Sequence, residues 1–228
     1  MDFFKSTLGL KIVMALSGLV GLGFVIGHML GNLQIFLGAK VLNEYAASLH
    51  HNTALLWGAR IVLLSAVIVH IVSAVKLTLR SKAARPEPVS MSGWLGASYA
   101  TRTMRHGGVI LLVFIVYHLL HLTNGVAVLP ADYAANVDWA TAGDKGIDVA
   151  ANVRKGFSYP PTAIFYIIAQ VLLGLHLTHG IHSMARTLGL SNPLWMERAK
   201  TVAIATGIAI TLGNCSIVLA GLLGMLPQ

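Results

Sequence analysis

Five apolar stretches, at about 12–37, 54–79, 106–129, 161–187 and 201–226, constrain this chain more than any other feature. Each is longer than the ~20 residues a helix needs to cross hydrocarbon. Inside a bilayer every backbone N–H and C=O must be satisfied within its own segment, which a helix does. The expectation is an all-α integral membrane protein with five transmembrane helices, forming a single membrane domain over 1–228. Composition agrees: 56% of residues are hydrophobic, 11% are charged and the mean hydropathy is +0.74, far from a soluble globular chain.

Basic residues set the predicted orientation. With five spans, the N-terminus, the second connection and the fourth connection share one side. That side holds Lys5, Lys11, Lys76, Arg80, Lys82, Arg85, Arg102, Arg105, Arg186, Arg198 and Lys200, against Lys40, Arg60, Lys145, Arg154 and Lys155 on the other. Eleven against five, most of the eleven near span ends, predicts a cytoplasmic N-terminus in a bacterial cytoplasmic membrane. Three acids lie inside (Asp2, Glu87, Glu197) and five outside (Glu44, Asp132, Asp138, Asp144, Asp148), so the formal charge of +8 belongs to the cytoplasmic face. That face suits anionic lipid or an acidic partner protein. With no compact basic domain, nucleic acid is not expected as a partner.

The first span has the basic start and apolar run of a signal peptide. Its length, His28 and the lack of a small-residue cleavage site predict a mature helix instead. The single cysteine, Cys215, excludes a C-x-x-C-H covalent haem site, a cysteine-ligated iron–sulfur cluster and an internal disulfide. The outer connection at about 130–160 ends in Tyr159-Pro160-Pro161, prolines suited to a helix start, and is expected to fold over the outer face.

Within the spans the ionisable residues of note are histidines. His28, His70, His118 and His179 each sit near the middle of one of the first four spans, and an intramembrane ionisable group marks a functional site by default. His28 lies 17 residues past Lys11 and His118 lies 13 past Arg105, both towards the outside; His70 is six before Lys76 and His179 seven before Arg186, both towards the inside. A bis-histidine haem takes two imidazoles from facing helices at one level. Pairing His28 with His118 and His70 with His179 meets that need twice, at levels ~15 Å apart along the helices. The first four spans are therefore expected to form a haem-binding bundle. Counting alone leaves alternatives: His121 matches the depth of His28 slightly better than His118 does, and helix tilt of ~20° blurs such counts. His176, His179 and His182 fan over about 120° of the fourth span, so the remainder would be hydrogen-bond partners, propionate or quinone contacts, or interhelical contacts.

Several fragments, in this order and spacing, resemble a known family: Ser17-Gly18-Leu19 leading into FVIGHMLGN (24–32), IVHIVSAVKL (68–77), MRHG (104–107), IVYHLLHL (115–122), GFSYPP (156–161) and GLHLTHGIHSMARTLGL (174–190). Over nearly its whole length the chain resembles the dihaem cytochrome b anchor of succinate:quinone oxidoreductases and fumarate reductases, the type with one five-span polypeptide. The resemblance implies haem ligands His28 with His118 (outer) and His70 with His179 (inner), and two haems b. Lys76 and Arg186 are placed to meet the inner propionates. It also implies a flavoprotein subunit that oxidises succinate, an iron–sulfur subunit that delivers electrons to the cytoplasmic face, and a membrane quinone, commonly menaquinone. The chain itself has no Gly-rich dinucleotide loop, nucleophile motif or further metal motif, so it is not catalytic alone.

Quinone binding needs polar groups at a membrane edge; the candidates are Asn32, Gln34, Glu44, His50 and His51 at the outer end and Arg105 and His106 at the inner. Gly18, Gly21, Gly23, Gly27 and Gly31 on span one, with two G-x-x-x-G spacings, would admit a close helix or a flat macrocycle. One departure is Leu177, where some family members carry a Glu linked to transmembrane proton transfer. Two rivals are the cytochrome b of another quinol-linked complex, such as a nitrate reductase or hydrogenase, and a histidine-based proton or metal transporter. The second would be expected to show mid-membrane carboxylates or repeat symmetry, and the sequence has neither.

Overall fold

The computed structural model describes residues 3–84, 99–123 and 148–227. Among them all regular structure is helical: α1 (Thr7–Leu33), α2 (Ala39–His51), α3 (Thr53–Ala83), α4 (Tyr99–His118), α5 (Val149–Ser158), α6 (Pro160–Thr187) and α7 (Pro193–Leu222). Five segments are long and apolar enough to cross a membrane: Thr7–Leu37, Thr53–Ala83, Arg102–Thr123, Pro160–Thr187 and Pro193–Leu222. The protein is thus a multi-pass helical chain with the five spans expected. The last residues of the expected third span, 124–129, and most of the outer connection lie outside the described residues.

Helix boundaries follow local chemistry rather than apolarity. Ser6, Asn52, Asp148 and Asn192 cap α1, α3, α5 and α7 by accepting from Gly9 N, Leu55 N, Ala151 N and Leu194 N. Pro160 and Pro193 take the first helical positions of α6 and α7, where a missing N–H costs nothing. Consequently α7 starts eight residues before its apolar run at 201, because capping and not hydropathy decides where a helix begins. After a 3-10 turn at Gln34–Leu37, Gly38 at φ 123° redirects the chain into α2, a conformation side chains disfavour.

The spans divide unevenly. α1 packs along α3, α6 packs along α7 and α4 lies on α6, while α1 also touches α6 and α7. By contrast, backbones of α4 and α1, α4 and α3, and α3 and α6 make at most glancing approaches among the described residues. A seam of side-chain rather than close backbone contact therefore runs between α4 and the α1/α3 pair, while α1 meets α6 directly. The closest crossing is α6 on α7: a Cβ added to Gly174 would stand 2.9 Å from Gly207 O, and one on Gly207 2.6 Å from Gly174 O. Thr211 Oγ1 donates to Gln170 O at 3.3 Å and Asn214 Nδ2 to Gln170 Oε1 at 2.8 Å across this contact. Gly18 and Gly31 of α1 also serve close approach, to the His70 and Tyr45 rings. Outward faces carry exposed Leu, Ile and Val, such as Ile61, Leu64 and Leu212, as a lipid-facing surface should.

At one end of the bundle α2 and α5 fold across the spans over a core of Ile35, Leu42, Ala150, Phe157, Tyr166 and Val218. A polar clamp ties them: Asn43 Nδ2 donates to Asp148 Oδ1 at 2.9 Å, Ala150 N donates to Asn43 Oδ1 at 3.0 Å, and Arg154 donates to Pro227 O at 2.8 Å. The expectation that this connection covers an end of the bundle holds for its described part, 148–158.

Candidate functional site

Both sides of the seam present histidines to each other. His28 of α1 and His118 of α4 meet edge-on, with ring centroids 5.7 Å apart and planes at 87°. His70 of α3 meets His176 of α6, with centroids 6.2 Å apart. One ring from each of the four histidine-bearing spans thus joins one of two pairs, while α7 supports α6 from behind. The first pair is the expected one. In the second, His70 was expected opposite His179; the ring contact formed is with His176, one turn earlier on the same helix.

Neighbouring groups orient these rings. His70 Nδ1 lies 3.0 Å from Met14 O and 3.3 Å from Ser17 Oγ. A carbonyl can only accept, so Nδ1 carries the proton and the Nε2 lone pair faces away from that contact. His118 Nδ1 lies 3.3 Å from the Tyr166 hydroxyl, which gives that ring the same option. His28 is turned the other way: Asn32 Nδ2 is 3.1 Å from its Nε2, so Nδ1 is the nitrogen left for another partner unless the ring flips. Asn32, named above among the quinone candidates, makes this contact to His28. Phe24 stacks on His28 one turn below, at 5.2 Å.

His118 and His121 separate clearly. Leu119–Thr123 is a wide π turn, a local irregularity that recurs at functional sites. His121 is fully buried there, with Nδ1 2.9 Å from the Tyr166 hydroxyl. His118 is only half-buried and is the one whose ring meets His28. Tyr166 was not singled out by sequence, since a tyrosine on an apolar helix carries no mark of its two partners 45 and 48 positions away.

Among the described residues no group of three or more His, Cys, Asp or Glu could hold a metal ion by itself. Two imidazoles per centre suit a metal whose remaining ligands come with it, as in a macrocycle. Space agrees. Gly21, two turns below His28 on the same face, is half-buried, yet a Cβ built on it would meet nothing within 4 Å. His176 Nδ1 is buried and makes no hydrogen bond within the chain, the kind of orphan that a bound group resolves. A cleft of about 160 Å³ beside His176, lined by Thr103, Met104, Gly107, Leu172 and Leu175, is too small for a macrocycle.

Searches against protein-family models, curated proteins and solved structures gave no match.

The remaining candidates lie at the two ends. Glu44 and His51 are exposed on α2, where Glu44 pairs with Lys40 at 3.7 Å, and His50 is half-buried. Burial, and then the Arg60 guanidinium, hold His50 below the usual imidazole range. Lys76, Arg105, His106 and Arg186 are all exposed at the opposite end.

Proposed function

We propose that this chain is the membrane-anchor cytochrome b subunit of a succinate:quinone oxidoreductase, linking an iron–sulfur partner to a membrane quinone through two haems b. What supports this reading is the meeting of His28 and His118 from two different spans at 5.7 Å, the ligand pair expected for the outer haem. The ordered sequence fragments and the excess of basic residues on the N-terminal side support it independently. Menaquinone is the quinone the resemblance implies, and fumarate reduction is the same chemistry run backwards.

When bound, a haem of this kind supplies one-electron transfer between ferrous and ferric iron. The protein's own contribution is to hold and orient. His28 and His118 would clasp the outer group, and His70 would clasp the inner with His179, which counting from the basic ends puts at the matching depth. His176, one turn deeper, would lie alongside as a neighbour. Met14 O and Ser17 fix the His70 ring, and Lys76 and Arg186 offer positive charge to propionates at the inner, cytoplasmic end. His50, His51 and Glu44 at the outer end, and Arg105 and His106 at the inner, are the polar groups available to a quinone headgroup.

The deciding experiment is a reduced-minus-oxidised spectrum of the purified protein with a haem-to-polypeptide ratio. Two b-type haems per chain is the expected result. Folded protein without haem would overturn the proposal and return the histidines to a proton or metal transporter.

A further inference from the structure

Beside the His28–His118 pair lies a buried hydrogen-bonded group that ligand binding alone does not explain. The Tyr166 hydroxyl stands 3.3 Å from His118 Nδ1 and 2.9 Å from His121 Nδ1. Tyr166 is 3% exposed and His121 is 0% exposed. Phe114, Tyr117 and Phe157 pack around the Tyr166 ring with centroids 5.0, 6.0 and 4.9 Å away, so it has little freedom to turn. His121 packs against Tyr117 and Phe157 in the same cluster.

A phenol has one proton to give and lone pairs to accept with. If His118 binds a metal through Nε2, its Nδ1 must carry a proton, and that proton points at the Tyr166 oxygen. The Tyr166 proton is then free to be donated to His121 Nδ1. The bonds run one way, from His118 N–H to Tyr166 oxygen and from Tyr166 O–H to His121. Each bond polarises the next in such a chain. The pull of His121 makes the Tyr166 oxygen a better acceptor, which leaves more electron density on the His118 ring, as outer partners of metal-bound histidines do.

We infer that Tyr166, backed by His121, is a positioning residue that orients the His118 ring and strengthens it as an electron donor to the metal bound between His28 and His118. The inference rests on the haem reading above. A stronger donor favours the ferric state and lowers the midpoint potential of that haem, leaving the haem at His70 unchanged.

The test is a redox titration with low-temperature electron paramagnetic resonance on the full chain, purified with its haems. Tyr166→Phe removes the hydroxyl and keeps the ring. The expected result is two haems per chain, an upward shift in the potential of one, and a changed low-spin signal from that same haem. His121→Leu should shift the same haem the same way but less, and His121→Gln, which retains an acceptor, should restore the wild-type value. Unchanged potentials and spectra in Tyr166→Phe, or equal shifts of both haems, would overturn the inference. If Tyr166→Phe loses the haem outright, His121→Leu decides, with an unmoved potential counting against the inference. Wild-type protein without haem would defeat the electron-carrier reading itself, a result distinct from any of these.

Discussion

At the residue scale, the proposal turns on which imidazoles are indispensable. His28→Ala and His118→Ala should each lower the haem ratio from two to one per chain, read by pyridine-haemochrome assay, because a single remaining ring cannot hold a centre that needs two. On α6 the contact geometry and the depth count favour different residues: His176 meets the His70 ring, while His179 lies at the matching level. His179→Ala is expected to remove the second haem and His176→Ala to retain it with an altered spectrum; the reverse would transfer the ligand role to His176. Gly21 gives a sharper test of the seam. A side chain there has open space, so Gly21→Leu should leave the helical fold intact by circular dichroism while abolishing haem at the adjacent pair. The four histidines were legible in the sequence because ionisable groups in apolar runs stand out. Tyr166 was not, because only packing reveals that its hydroxyl faces two of them.

At the element scale, two contacts hold the spans and their covering helices in place. α6 and α7 meet through Gly174 and Gly207, where either Cβ would run into the opposing backbone. Backbone cannot yield as a side chain can, so Gly207→Val should destabilise by about 1–3 kcal/mol, measurable as a lowered unfolding midpoint in mixed micelles. The G-x-x-x-G spacings of span one drew attention in the sequence, yet Gly23 and Gly27 meet nothing within 4 Å; spacing shows where a close approach is permitted, not where a partner helix arrives. The second contact is the clamp at α5. Burial pushes the Asp148 carboxyl up, but the hydrogen bonds from Asn43, Ala151 and Ala150 and the Arg154 guanidinium outweigh it and hold Asp148 below the usual carboxylate range. A carboxyl depressed in the folded state stabilises it above the unfolded pKa, and that stability is lost as pH falls through the folded one. Acidification below about pH 4 should therefore loosen α5, and Asp148→Ala should do so at neutral pH at a cost of about 1 kcal/mol. Faster amide exchange in residues 149–158 would register both.

At the scale of the whole molecule, the proposal depends on the seam between the spans that carry the histidines. Here the backbone of α4 keeps its distance from α1 and α3, and His28 and His118 meet between them. An occupant would bridge the two halves, so removing haem should lower the thermal midpoint of the whole bundle, by mass action on the folded state, and readdition of hemin should restore it. The excess of basic residues on the N-terminal side predicts the direction of insertion. Membrane-impermeant labelling of cysteines placed at Thr7 and Ser158, in a Cys215→Ala background, should modify only the second from outside.

The sequence by itself determined the number of spans, because hydrocarbon imposes length and apolarity on each segment separately. Helix ends were less legible, since Asn192 and Pro193 start α7 well outside its apolar run. Tertiary structure alone decided that His118 and not His121 faces His28, that His176 meets His70, that α2 and α5 are clamped through Asn43 and Asp148 across 105 positions, and that the close glycine crossing belongs to α6 and α7. Lipid treats every face of an apolar helix alike, so nothing local in the sequence says which face turns inward. That choice is made when the helices pack.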